Sequence, residues 1–309
     1  MRAFHDRRIR VPRRIFALAA FAAAASLPAL AGPVYNFTNF DGPGNNGGGT
    51  TVNGINNNGA ATGFSSDNAV TPTLFTNFIR NPNGTFTPEN LSDPLAMANG
   101  INDTPTLVGA HSNGTAFAFT GGTLLPLAAV NSTTTIEAAF GISDNGLIAG
   151  QFQDSATGTT PGFLLSGGVY TILNPVPTAV VTNAQSVNNN GVVAGFYSTD
   201  GAHQHGFFYN SASHLYTLAP DPVVANLFLT QFLGINDFGI VAGYYQLIDG
   251  SQHGFLYNSN TQAYSFLDDP NAALSGVSIT QITGINDSGE IAGFYVDAST
   301  GLQRGFVAA

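Results

Sequence analysis

The chain has no cysteine, no tryptophan and few charges. Charged residues make up 8% of its 309 positions. Without cysteine there are no disulfide staples, no thiol nucleophiles and no Cys-ligated metals. Lysine is absent as well, so every basic residue is an arginine and Schiff-base chemistry is excluded. Tryptophan, a favoured platform for sugar rings, is missing, although 24 Phe and 10 Tyr offer other aromatic faces. There is no Gly-x-Ser-x-Gly, no Ser-x-x-Lys and no His-Glu-x-x-His, which removes the common nucleophile and zinc motifs. The glycine run from Gly42 to Gly49 does not lie between a strand and a helix, and reads as a flexible linker rather than a phosphate cradle.

The few positive charges are concentrated at the start. Arg2, Arg7, Arg8, Arg10, Arg13 and Arg14 precede the apolar run Ile15 to Leu27, and Ala29-Leu30-Ala31 has the small-x-small form of a cleavage site. Charged start, short apolar run and small-residue exit define a secretory signal peptide over residues 1–31, removed before Gly32. Arg13-Arg14-Ile15-Phe16 resembles the core of a twin-arginine signal, with Pro12 where Ser or Thr is usual. The expected location is therefore periplasmic or extracellular. Of 8 basic and 18 acidic residues, the leader takes six arginines and Asp6. The remainder has Arg80 and Arg304 against 17 acids, a net charge of −15. Such a surface repels phosphate backbones and anionic membranes. Expected partners are an extracellular or periplasmic ligand of neutral or cationic character, with no nucleic acid, no membrane insertion after cleavage, and a monomeric protein.

Abundant Gly, Asn, Thr, Ser and Phe form the vocabulary of short strands and tight turns. The segment Gly284-Ile285-Asn286-Asp287-Ser288-Gly289-Glu290-Ile291-Ala292-Gly293 recurs from Gly234, with weaker copies from Gly54, Gly100, Gly141 and Ser186. A period of roughly 40–50 residues with strand-like content points to a propeller or solenoid. The fifth copy reads as four strands, 228–236, 240–247, 253–258 and 262–267. Asn-Asp-x-Gly between the first two is hairpin chemistry, with Gly in the left-handed position. Gly59, Gly146, Gly191, Gly239 and Gly289 keep it, while the second copy has Pro105. A Phe recurs in every third strand: Phe78, Phe117, Phe163, Phe207, Phe255 and Phe306. One large apolar side chain per repeat is what packing between neighbouring sheets requires.

The ends choose between ring and solenoid. The sixth copy stops after its third strand, and an orphan strand over residues 33–40, Val34 to Phe40 at its heart, resembles the fourth strands. The expectation is an all-β, six-bladed β-propeller of four-stranded antiparallel blades, a single domain over 32–309 with the N-terminal strand completing the last blade. Closure also removes the open ends that a solenoid would have to cap.

The Gly-Ile-Asn-Asp-x-Gly-x-Ile-Ala-Gly motif and the steps His205-Gly206-Phe207 and His253-Gly254-Phe255 resemble the HAF-repeat family of predicted extracellular proteins. The family name implies Ala where this chain has Gly, and four copies lack the His. The resemblance implies an exported repeat fold and no catalytic residues.

Candidate chemistry is thin. Each Asn-Asp-x-Gly turn offers about two oxygens, where calcium needs six to eight, so the turns read as plain turns. No cofactor is expected and calcium is a minor candidate; the metal set is empty. His205 and His253 fill equivalent places and read as structural hydrogen-bonders, His203 and His214 as surface residues, and His111 as a lone histidine of either kind. The rim carrying the two-to-three loops and the blade links is the expected ligand face by fold analogy. It holds Asp154, Asp200, Asp249, Asp297 and Arg304, with Asp221, Asp268 and Asp269 in the links. These residues, with His203, His205 and His253, form the candidate ligand set. Two functions fit them: a non-catalytic binding or surface-interaction module, or a hydrolase or lyase acting on an extracellular polysaccharide or small ester from paired rim carboxylates.

Overall fold

Alternation of apolar and polar residues with a turn every few positions leaves the chain no option but short antiparallel strands. A computed structural model describes residues 34–70, 73–273 and 277–309, and the backbone alone of 135–136. The leader, 1–31, lies outside the described residues. Residues Tyr35–Ala309 form one unit. It is a six-bladed β-propeller, each blade a four-stranded antiparallel sheet.

Blades 1 to 6 have the innermost strands Gly47–Ile55, Met97–Ile101, Thr134–Ile142, Val181–Val187, Leu227–Ile235 and Thr280–Ile285. Blade 5 continues with Ile240–Leu247, Gln252–Asn258 and Ala263–Phe266, within a residue or so of the sequence expectation. Blade 6 continues with Ile291–Val296 and Gln303–Ala308, and its outermost strand is Phe37–Phe40 from the other end of the chain. Phe37 faces Ala308, Thr38 faces Val307, Asn39 faces Phe306 and Phe40 faces Gly305.

This closing strand is shorter than the expected 33–40. Its partner ends at Ala308, so beyond Phe37 only the bond from Asn36 N–H to the Ala309 carbonyl remains. Tyr35 and Phe37 nonetheless pack, half-buried, against the same apolar cluster, and the Tyr35 hydroxyl donates to the Gly289 carbonyl at 3.0 Å.

The core comes in six pieces, one at each blade interface. The cluster joining blades 6 and 1 unites Ala292 and Val307 with Val52 and Phe78, which closes the ring. All six third-strand Phe side chains are fully buried, at 0% exposure. Each faces a second-strand glycine across the ladder, as Phe255 faces Gly243 and Phe306 faces Gly293. Large ring beside missing side chain is the complementarity that lets neighbouring sheets pack without a void.

Near the axis the blades meet backbone to backbone. A Cβ on Gly234 would lie 2.9 Å from the Gly284 Cα, and one on Gly284 would lie 3.0 Å from the Ile55 nitrogen. The recurring Gly ahead of Ile-Asn-Asp is thus set by lack of room. One residue earlier, each innermost strand carries a β-bulge, for example between Phe232 and Gly234. The extra residues are Asn53, Asn99, Phe140, Gln185, Leu233 and Thr283, and all six line the central channel. A bulge re-aims a side chain; here it presents one side chain per blade to the axis.

Candidate functional site

The Asn-Asp-x-Gly turns begin as local chemistry. In blade 5 the Asn236 side-chain oxygen accepts the Ile240 N–H at 2.9 Å, and Gly239 closes the turn at φ 75°. Asn56, Asn102, Asn188 and Asn286 do the same for Ala60, Thr106, Val192 and Glu290, and the Ser143 hydroxyl does so for Leu147. In the second copy Thr104, whose hydroxyl donates to the Asn102 oxygen, and Pro105 stand in a turn with no left-handed residue.

The same side chains then reach across the blade boundary. Asn236 Nδ2 donates to the Asn286 carbonyl, Asn286 Nδ2 to the Asn56 carbonyl, and Asn56 Nδ2 to the Asn102 carbonyl, at 2.9–3.1 Å. Asn102 donates to Ser143 and Asn188 to Asn236; Ser143 lacks the amide to continue.

The next residue of each turn completes a circle. The Asn57 N–H donates to Asp103 Oδ1, Asp103 N–H to Asp144, Asp144 N–H to Asn189, Asn189 N–H to Asp237, Asp237 N–H to Asp287, and Asp287 N–H back to Asn57. Every bond measures 2.8–2.9 Å. Six turns that sequence treats as separate form one collar around the axis. Four of its members are carboxylates, and Asn57 and Asn189 are neutral spacers. Asn189 Nδ2 donates to Asp144 Oδ2 at 2.8 Å and to Asp237 Oδ2 at 3.1 Å.

The collar stands at one mouth of a channel of about 280 Å³. Its wall includes Asn53, Asn99, Gln185, Gln231, Gln281 and Thr283, together with Phe140, Phe294, Leu233, Val187 and five isoleucines. The lining carries amides, hydroxyls and carboxylates, and no histidine, lysine or arginine. Burial pushes the Asp287 carboxyl up from its ordinary range, and the neighbouring Asp237 and Asp144 push the same way, against hydrogen bonds that favour the charge. Among the described residues, no three His, Asp or Glu side chains stand close enough together to hold a metal ion.

The sequence-derived candidates lie elsewhere. Bridges such as Ala272 with Asp297 and Gln252 with Ile279 bring two-to-three loops and blade links to one rim, as expected. The rim acids do not work as a group. Asp154 accepts the Ala156 N–H, Asp200 those of Ala202 and His203, Asp249 that of Ser251, and Asp297 those of Ser299 and Thr300. Each holds its own turn, and side-chain hydrogen bonds from Thr133 to Asp154, His203 to Asp200, Ser251 to Asp249 and Ser299 to Asp297, with these backbone bonds, lower all four carboxyls, Asp297 to about 2.

The histidines are tied in the same manner. His205 Nδ1 meets Asp221 and His253 Nδ1 meets Asp268, both at 2.7 Å, fastening third strand to blade link. Arg304 occupies that place in blade 6 and holds Asp41 through two 3.2 Å bonds. A tyrosine stands opposite in each case: Tyr197, Tyr245 and Tyr295. The preceding residue adds an inter-blade contact, since Gln204 and Gln252 accept from Gln231 and Gln281, and Gln303 donates to Thr51. The step Gln-His-Gly-Phe thus has a structural task at every position. His203 pairs with Asp200 at the surface, His214 with the Tyr209 hydroxyl, and His111 packs on Phe117 beside Asp93. Asp269 is the exception, buried at the seam with Asn39.

No family model matches the chain, and no curated protein matches its sequence. Its fold is similar to TolB from Acinetobacter baumannii, with a TM-score of 0.52 at 12% identity over 82% of this chain and 64% of that one. It is also similar to AofleA from Arthrobotrys oligospora, with a TM-score of 0.50 at 13% identity over 85% and 83% of the two chains. The Aleuria aurantia lectin in complex with Fucα1-6GlcNAc gives 0.49 at 12% identity, over 84% and 94%. At such identities the likeness is one of fold alone: the chain has the architecture of the propeller proteins.

Proposed function

We propose that this chain is an exported propeller that binds its ligand without transforming it, and that the ligand enters the axial channel through the collar. One observation carries the reading. The six copies of the turn motif converge on the axis, and what they bring there is an array of hydrogen-bonding oxygens and amides with no histidine, lysine or arginine in the lining. General acid–base catalysis needs two groups with separated pKa values in reach of one substrate. The collar instead repeats one backbone-to-side-chain bond six times, with four aspartates and two asparagines as acceptors. The Asn, Gln and Asp side chains in the channel wall favour a small polar ligand rich in hydrogen-bond donors, and four carboxylates favour one with positive charge.

Calorimetric titration of the folded protein with a small polyamine, spermidine, and with a neutral trisaccharide of similar length tests the reading. Saturable binding of the amine that is lost in Asp144→Asn/Asp237→Asn supports it. Binding unchanged by those substitutions overturns it. So does turnover of an ester or polysaccharide that disappears in Asp200→Asn or Asp297→Asn, which would move the site to the rim and make the chain a hydrolase or lyase.

A further inference from the structure

Where the chain's two ends meet, a carboxylate and a carboxamide that touch each other both carry a sealed oxygen. Asp269 lies in the link from blade 5 to blade 6 and is 1% exposed. Its Oδ1 collects three donors: the Asn271 N–H at 2.8 Å, Asn271 Nδ2 at 3.2 Å and Asn39 Nδ2 at 3.3 Å. Its Oδ2 is sealed from solvent and has no partner. The Asn39 side-chain oxygen is also sealed and also has no partner. Two orphan acceptors therefore belong to two side chains that already touch. Asn39 is part of the closing strand, and its amide also donates to the Tyr295 hydroxyl at 3.1 Å.

Charges around the pair add to the problem. Asp297 faces Asp269 from the two-to-three loop of blade 6, and its Oδ2 lies 3.4 Å from the Tyr295 hydroxyl. Arg304, on the third strand, is 3.6 Å from Asp297 but is already held bidentately by Asp41 of the closing strand. Asp268, the preceding link residue, is committed to His253. Near the pair stand the carboxylates of Asp41, Asp268 and Asp297, with one arginine and one histidine, both occupied.

A buried acceptor without a donor costs about 1–3 kcal/mol, and a lone buried carboxylate costs more. A single hydrogen would satisfy both orphans together. A metal ion would need six or more oxygens, and two are free. We propose that Asp269 is protonated in the closed ring and donates from Oδ2 to the Asn39 side-chain oxygen, so that the seam of the propeller is a pH-sensitive fastening. The pair accounts for both unpartnered atoms, and it joins the blade link to the strand that closes the ring. Burial pushes the Asp269 carboxyl up, and the Asp297 charge does so further. A carboxyl raised in the folded state contributes its stability below the unfolded pKa. That contribution is lost as pH rises through the folded pKa. The seam is tight in acid and loosens towards the alkaline side.

The test is a carboxyl carbon NMR titration of Asp269 in the folded protein. It is combined with hydrogen exchange of the amides of residues 37–40 and 305–308 from pH 4 to 8, corrected for intrinsic rates. Expected is a midpoint above the ordinary Asp range and seam exchange that quickens about tenfold per unit of that displacement. The variant Asp269→Asn, whose Nδ2 donates to Asn39 at every pH, should show no such rise. A midpoint at or below the ordinary range overturns the proposal, as does an equal rise in wild type and variant. Slowing of wild-type seam exchange by calcium at pH 8 also overturns it, since a cation would then be the missing partner. Should the variant not fold, the wild-type midpoint and its coincidence with seam loosening decide the matter alone.

Discussion

Phe255 fills the space that Gly243 leaves empty: a Cβ on Gly243 would stand 2.6 Å from the Phe255 ring and 2.1 Å from the Gln231 carbonyl oxygen. The backbone oxygen has no room to retreat, because it belongs to the innermost strand. Gly243→Ala should therefore lower stability by about 1–3 kcal/mol through overpacking. Phe255→Ala should lower it by about 3–5 kcal/mol through the cavity. Urea unfolding followed by far-ultraviolet circular dichroism measures both.

The collar separates charge from structure. Asn57 and Asn189 accept the same backbone bond that Asp does elsewhere. Asp237→Asn should thus keep the circle and stay within about 0.5 kcal/mol of wild type. Asp237→Ala leaves the Asn189 N–H without its acceptor and should cost about 1–3 kcal/mol. Equal losses in the two variants would show that the charge, and not the bond, holds the ring.

The seam can be tested by covalent capture. Thr38 and Val307 face each other across the closing ladder. Cα atoms so placed are roughly 4.5–5.5 Å apart, within disulfide range. With no native cysteine to compete, Thr38→Cys/Val307→Cys should oxidise readily and raise the melting temperature, reversibly with reductant. Deleting residues 32–41 should lower the melting temperature and promote aggregation through the bared edge of Gln303–Ala308.

Acid should act first on the rim. Hydrogen bonds from neighbouring side chains and from the turn backbone lower the carboxyls of Asp154, Asp200, Asp249 and Asp297. A lowered carboxyl contributes stability above its unfolded pKa and loses it as pH falls through the folded value. Hydrogen exchange should therefore show the turns at 199–203 and 297–301 loosening between about pH 4 and pH 2, while the collar amides stay protected. Simultaneous loss of both would mean that the rim turns do not open independently.

Much of the fold was legible in the sequence because a repeat states each decision six times. The third-strand Phe, the left-handed turn Gly and the complementary ends each predicted a contact that is present. The histidine steps were legible as structural, though not their partners: Asp221 and Asp268 lie 16 and 15 residues downstream, at offsets no single motif records. The collar was not legible. One turn has too few oxygens to matter, and only rotation about an axis multiplies it. The bulges at Leu233 and its equivalents were hidden as well, since the extra residue is apolar in two blades and polar in four and carries no common residue type. The turn bonds of the rim acids were not legible either, because exposed loop carboxylates look alike in sequence whether they serve a ligand or their own turn.

The circle of amide-to-oxygen bonds from Asn57 through Asp287 and back has no first member and no last. An open stack of repeats has terminal units that fray and can be lost one at a time. Here the removal of any blade severs two links of the circle, one on each side, together with both flanking pieces of core. Partial melting has no cheap place to begin other than the seam, where the blade is assembled from two distant stretches of chain. The molecule is in this sense a belt with one buckle: its cohesion is distributed evenly around the ring, and its vulnerability is concentrated in four residues, Phe37 to Phe40.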